Sequence, residues 1–284
     1  MATFFNQATL SYNGNTVNSN IVTGELVDVI SATKTALTSD YTAGSVVSYA
    51  VNIINTGTVD FNGLSITDDL GAYTFNATTL VPLTYIDGSV RYFVNGVPAA
   101  APTVTAGPPL TISGINVPAS GNATVIYSAT VNSFAPLGEN ADITNTVTVT
   151  GGGISSDITA EATVPADTEA LLTITKSLNP TVVSDNGQLT YTFVIQNTGA
   201  QAVIATDNAS ITDTFDPIIN ITGVTFDGAA WAEGTNYTYD DTTGVFTTVP
   251  GQIVVPAATY AQDPTTGTYI INPGTVTLTV TGTV

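Results

Sequence analysis

The sequence predicts an all-β protein built from two tandem immunoglobulin-like β-sandwiches. Three observations carry that prediction. Val, Ile, Thr and Tyr alternate with period two in runs such as VSYAVNII and LTYTFVIQ, the pattern of strands with one buried face. The dipeptides Asp87-Gly88, Asn95-Gly96 and Asp227-Gly228 punctuate those runs as turns, and no window sustains a helical period. The chain also repeats itself. Thr33-Lys34 in the first half answers to Thr175-Lys176 in the second, and each Lys is followed at the same spacing by a Tyr, Tyr49 or Tyr191. Asn-Thr-Gly begins shortly after each Tyr, at Asn55 and Asn197, and Ser-Ile-Thr-Asp ends at Asp68 and Asp213. The segments GNATVIYSATV (121–131) and GTVTLTVTGTV (274–284) also match, so the chain is a tandem duplication.

Composition narrows the chemistry. The 284 residues suffice for one large or two ordinary domains. With no Cys and no His, the chain excludes disulfides, thiol nucleophiles, zinc centres and any triad that needs an imidazole. Three basic against 22 acidic residues give a net charge of −19, which argues against nucleic acid or an anionic membrane as partner. Only 9% of residues are charged, where about 25% is usual, so Thr, Ser, Asn and Gly supply the polarity. No stretch is long and apolar enough for membrane insertion. The opening MATFFN has neither the basic nor the apolar region of a signal peptide, and the ending has no wall-sorting tail. The expectation is a processed chain, or one released by another route such as lysis of the cell that makes it.

Taken in order, residues 1–14 read as a free β-strand segment, 15–168 as the first sandwich and 169–284 as the second. The first sandwich includes a closing strand at 141–150. The second copy reaches Val284, the counterpart of Val131, without such a strand. The segment Ala2-Thr-Phe-Phe-Asn-Gln-Ala-Thr-Leu-Ser aligns with the closing strand Ala141-Asp-Ile-Thr-Asn-Thr-Val-Thr-Val-Thr, so Asn6 falls on Asn145. Phe4, Asn6, Ala8, Leu10 and Tyr12 share one face of it, and the four apolar members are the expected core contacts of a donor strand.

The ordered pattern of Thr-Lys, a Tyr-rich strand, Asn-Thr-Gly, Thr-Asp and a closing Asn145-Thr-Val-Thr-Val resembles the immunoglobulin-like "conserved repeat" family of bacterial surface proteins, the domain of unknown function numbered eleven. The resemblance covers nearly the whole chain. It implies a surface location and, as in related adhesins and pilins, a Lys–Asn isopeptide bond catalysed by a buried carboxylate.

The residues bear on that implication separately. By parity, Ala32, Lys34 and Ala36 share a face, as do Ile174, Lys176 and Leu178, so both lysines point into the apolar layer. Ile66, Asp68 and Leu70 share a face, and Ile211, Asp213 and Phe215 repeat it. Ile143, Asn145 and Val147 do the same on the closing strand. First and last strands lying side by side would set Lys34 against Asn145. In a dry core the amine loses its proton and becomes a nucleophile, and protonated Asp68 hydrogen-bonds and polarises the carboxamide. Asp68 and Asp213 are the expected catalysts, Lys34 with Asn145 and Lys176 with Asn6 the expected bonds. The alternative is a buried Lys–Asp ion pair with Asn as a hydrogen-bond partner.

The leading functional reading is a structural subunit of an extracellular bacterial filament, a pilus-like fibre or spore appendage. It would assemble head to tail with copies of itself by donor-strand exchange, leaving room for a different anchor or tip protein. The N-terminal strand could instead fold back on its own second copy. A monomeric adhesin stalk or S-layer-type binding module is the other class. Arg91 reads as a surface or interface ion-pair residue. An enzyme acting on another molecule is disfavoured, because Asp40, Asp60, Asp185 and Asp240-Asp241 sit in turn contexts. A calcium site at Asp240-Asp241 or Asp68-Asp69 lacks EF-hand spacing, and no cofactor is expected.

Overall fold

The computed structural model describes residues 2–26 and 28–284. Among the described residues the elements are strands apart from a single 3-10 turn at Ala205–Asp207, as the alternating pattern requires.

The chain opens as a two-stranded antiparallel ribbon. β1 (Ala2–Asn6) pairs β4 (Val22–Leu26), and β2 (Thr9–Tyr12) pairs β3 (Asn15–Asn18). Its tip is the dipeptide Asn13-Gly14, both residues at positive φ (44° and 78°), the geometry of a two-residue hairpin turn. Asn6 lies opposite Val22 and Thr9 opposite Asn18, so the return arm carries one residue more and bulges there. The ring of Phe4 lies across Gly24, where a Cβ would meet it at 2.3 Å. The ribbon buries little else. Phe4, Phe5, Leu10, Tyr12, Val17 and Val22 are all more than half exposed.

The chain then divides into two compact units. The first takes the chain up to Ser39, Gly44–Asn132 and Ile143–Val164; the second takes Asp40–Ala43, Ser133–Asp142 and Pro165–Val284.

The first unit is a sandwich. Its strands in chain order are β5 (Ile30–Ala36), β6 (Val46–Asn55), β7 (Phe61–Asp68), β8 (Tyr73–Phe75), β9 (Thr78–Leu80), β10 (Leu83–Tyr85), β11 (Arg91–Val94), β12 (Val97–Pro98), β13 (Thr103–Thr105), β14 (Leu110–Val117), β15 (Gly121–Val131), β16 (Asp142–Gly151) and β17 (Ile158–Pro165). One sheet runs β12-β11-β15-β6-β5, with β10 also on β15; the other runs β13-β14-β7-β16-β17. Period two places Val47, Tyr49, Val51 and Ile53 of β6, and Ala123, Val125, Tyr127 and Ala129 of β15, in the core. Leu64 and Ile66 of β7 and Ile143, Val147 and Val149 of β16 face them. Asn95-Gly96 makes the two-residue turn between β11 and β12.

In the second unit the strands are β18 (Leu172–Asn179), β19 (Gln188–Asn197), β20 (Thr212–Thr214), β21 (Asn220–Phe226), β22 (Ala229–Ala230), β23 (Tyr237–Asp240), β24 (Val245–Thr248), β25 (Thr259–Gln262), β26 (Tyr269–Asn272) and β27 (Gly274–Thr283). One sheet runs β18-β19-β27-β21-β22, a second only β20-β24-β23, and β25-β26 is a hairpin. Phe193, Phe215, Phe226, Phe246, Leu278 and Val280 fill the core between them. The Asn-Thr-Gly repeats are structural staples. Buried Asn55 donates to the carbonyls of Val59 (2.8 Å) and Pro118 (3.0 Å) and accepts from the Gly57 amide (2.9 Å). Asn197 repeats this with Gln201, Pro256 and Gly199.

The two units differ at one sheet edge. In the first, β7 is flanked on both sides, by β14 and by β16. Its counterpart β20 pairs β24, and no described strand lies along its other edge.

Candidate functional site

Three strands converge on the first site. Lys34 comes from β5, in one sheet; Asp68 and Asn145 come from β7 and β16, paired neighbours in the other. The sequence expectation of first and last strands side by side is therefore not met. β5 pairs β6, and β16 lies between β7 and β17. The physical reason is the antiparallel ladder between β16 and β7, from Val147 opposite Asp68 to Gly151 opposite Leu64, which keeps β16 in the β7 sheet. Any bond from Lys34 to Asn145 crosses between the sheets.

The side chains of Lys34 and Asp68 are both fully buried, and Nζ lies 2.8 Å from Asp68 Oδ2. Asp68 Oδ1 accepts from the Leu70 amide at 2.8 Å. Tyr127 Oη donates to Asp68 Oδ2 and accepts from Asn145 Nδ2 at 3.0 Å. Asp68 is thus linked to the carboxamide through Tyr127, whereas the sequence reading has Asp68 bonding it directly. Tyr127 stacks on Tyr49 at 5.6 Å between centroids, and Lys34 Nζ stands 4.8 Å from the Tyr49 ring centre. Asn145 Oδ1 and Tyr49 Oη are buried without a hydrogen bond, and the Asn145 side chain partly offsets the burial that raises the Tyr49 phenol. Such groups are costly to leave unpaired. The neighbour Asp69 accepts from the Thr146 amide (2.9 Å) and pins β16 beside the site.

Burial lowers the Lys34 pKa below the ordinary 10.5, against the opposing pull of Asp68 and then Asp69. Burial likewise raises the pKa of Tyr127, reinforced by the charge of Asp68, and that of Tyr49. An amine whose charge burial disfavours, held with a carboxyl and a carboxamide in one buried cluster, is equipped for amide formation.

The second site keeps part of this set. Lys176 Nζ contacts Asp213 Oδ2 and stands 4.5 Å from the Tyr191 ring centre and 5.5 Å from that of Phe215. The expectation that both lysines are buried holds only for Lys34, because the Lys176 side chain is 39% exposed. The cause is β20, whose outer edge no described strand covers. Two neighbours also differ. Val280 stands opposite Tyr191 as Tyr127 stands opposite Tyr49, and Thr214 follows Asp213 where Asp69 follows Asp68. Asn6 is exposed on β1, in the first unit, with Phe4, Ala8, Leu10 and Tyr12 also exposed along the ribbon.

Sequence reasoning missed Tyr127. Its signal was parity, since it shares the inward face with Val125 and Ala129, together with the absence of an aromatic at Val280. Arg91 makes no ion pair among the described residues and donates to the carbonyls of Gly88 and Val90, each at 2.8 Å. Asp240 works as a turn cap. Hydrogen bonds from the Thr242 hydroxyl and amide and from Thr243 hold its pKa down at about 2. No group of three or more acidic residues able to hold a metal ion occurs among the described residues.

No family model matches the chain, and no curated protein matches it. Solved structures with a similar fold include the pilus backbone RrgB of Streptococcus pneumoniae, at 13% identity and TM-score 0.35, over 86% of this chain and 55% of that one. This chain therefore spans about half the length of that pilin structure. The major pilin subunit BcpA of Bacillus cereus aligns at 11% identity and TM-score 0.36, over 96% and 73% of the two chains. The collagen-binding domain of a Staphylococcus aureus adhesin aligns at 10% identity and TM-score 0.31, over 49% and 99%.

Proposed function

We propose that this protein is the structural subunit of an extracellular filament on a bacterial cell or spore surface. Copies join head to tail by donor-strand exchange and are locked by Lys–Asn amides. The observation that carries this reading is the likeness between the N-terminal ribbon and the β16–β17 hairpin that closes the first unit. Thr144 and Thr163 meet across β16–β17 at 2.8 Å, and Phe5 and Thr23 pair across the ribbon at nearly the same separation along the chain. Asn145 follows Thr144, and Asn6 follows Phe5. The donor is thus a whole ribbon whose inner arm is 2–12, and its apolar residues are exposed in the single chain.

Register makes the proposal specific. Val147 pairs Asp68 and Thr148 pairs Thr67. The same register sets Ala8 opposite Asp213 and Thr9 opposite Thr212 of the next copy. Asn6 then occupies the position of Asn145, and the ribbon covers Lys176. Apolar burial drives docking at roughly 25 cal/mol per Å² of surface removed from water. Proximity in the dehydrated joint then favours amide formation between chains.

The test is the full chain boiled in detergent. Wild type should give a ladder of multimers. Asn6→Ala should still polymerise, since Ala fits the inner face, but should collapse to monomer on boiling. A Lys176–Asn6 bond found only within single chains would reject the polymer while keeping the chemistry.

A further inference from the structure

We propose that Tyr127 is a catalytic residue of amide formation at the first site: its hydroxyl carries a proton from Asp68 to the departing nitrogen of Asn145. The inference deepens the amide reading above and rests on it.

The geometry leaves a gap that Tyr127 fills. Both oxygens of Asp68 are engaged, Oδ1 by the Leu70 amide and Oδ2 by Lys34 and Tyr127. The nitrogen that must leave as ammonia, Asn145 Nδ2, has its hydrogen bond to Tyr127 Oη at 3.0 Å. A carboxamide nitrogen is a poor leaving group until it is protonated, and among the described residues the hydroxyl that bridges acid and nitrogen is that of Tyr127. Tyr127 is fully buried, so bulk water is not at hand to do the same.

The step balances within these four side chains. The Lys34 ammonium passes one proton to the Asp68 carboxylate. The free amine attacks Asn145 Cγ, forming the Nζ–Cγ bond and moving the carbonyl pair onto Oδ1. Nδ2 is then tetrahedral and basic. Protonated Asp68 donates to Tyr127 Oη while the phenol proton passes to Nδ2. The Cγ–Nδ2 bond breaks with its electron pair on nitrogen, ammonia departs, and the carbonyl reforms. The surplus proton on Nζ returns to Asp68. One ammonium, one carboxylate and one carboxamide become one secondary amide, one ammonia and one carboxylic acid, with no oxidant or outside co-reactant. At the second site Val280 stands in the equivalent place and offers no such hydroxyl.

The test follows ammonia loss at the first site during cell-free synthesis of the full chain, by intact mass and peptide mapping. Wild type, Tyr127→Phe, Asp68→Ala and a chain with 3-fluorotyrosine at position 127 are compared. Tyr127→Phe keeps the ring stacked on Tyr49, and hydrogen-exchange protection of β6 and β15 checks that it folds. It should lose ammonia about 10²-fold more slowly than wild type, the usual scale of proton-transfer catalysis. Asp68→Ala should retain its ammonia. Fluorination keeps shape and hydrogen bonding but makes the phenol more acidic, so the rate and its pH profile should shift. A folded Tyr127→Phe that closes at the wild-type rate overturns the inference. So does a slow Tyr127→Phe with no response to fluorination, which reduces Tyr127 to a positioning residue. A folded wild type that never loses ammonia overturns the amide reading itself.

Discussion

Replacing Asn145 by Ala separates the two chemistries that the first site allows, because the structure assigns them very different magnitudes. Suppose the site holds only an ion pair. The variant then loses one hydrogen bond, Asn145 Nδ2 to Tyr127 at 3.0 Å, a net contribution of about 1 kcal/mol. It also removes a buried carbonyl oxygen without a partner, which returns about 1–3 kcal/mol. The change lies near zero, within about 2 kcal/mol of it either way once the small void is included. Suppose instead that Lys34 and Asn145 are joined. The link then closes the chain between them, most of the first unit, into a loop. By the chain-entropy estimate for cross-links, a loop of roughly 100 residues constrains the unfolded state by about 5 kcal/mol. The variant loses that whole contribution. The assay is urea unfolding with hydrogen exchange read at β6 and β15. Trp231, the single tryptophan, packs on Phe226 in the second unit at 4.8 Å and serves as internal control. A first-unit loss of about 5 kcal/mol with an unmoved Trp231 transition is expected. A near-neutral first unit would refute the amide.

Two further outcomes are expected. In Asn145→Ala the Lys34 amine is free, and its folded pKa lies below the unfolded 10.5, so the unfolded chain binds more protons between the two. The Lys34 contribution to stability should therefore rise with pH in that window and be flat below it. Above about pH 10 stability should fall, because Tyr49 and Tyr127 keep their phenol protons in the folded state after the unfolded chain has lost them. The amide-bearing wild type has no titrating amine at the first site and should lack this rising limb, a difference read from urea midpoints against pH. For the joint, Thr9→Cys with Thr212→Cys adds the only two cysteines in the chain. The proposed register pairs them, so oxidised filaments should show a disulfide between chains. A disulfide between positions 9 and 212 confined to monomers, or none in intact filaments, would reject that register.

Much of this protein was written in local pattern. Period-two alternation gave the all-β class, because residues of a strand with one buried face must alternate. The internal repeat gave the two copies, since similar sequences fold alike. Parity put Lys34, Asp68 and Asn145 in one core, and all three are buried there. Alternation says which face a side chain takes, however, and not which strand lies beside it. That Lys34 belongs to the sheet opposite Asp68 and Asn145 was decided by long-range pairing, β5 with β6 and β16 with β7. Alternation also cannot say whether a face is covered, so Lys176 has the parity of Lys34 and yet stands 39% exposed. The hairpin turn at Asn13-Gly14 was legible as a dipeptide, but only pairing made the N-terminal strand a ribbon. Tyr127 looked like one more inward residue of β15. Its link between Asp68 and Asn145 is made by two sheets meeting across the core, a contact between residues far apart in the chain that no local spacing encodes.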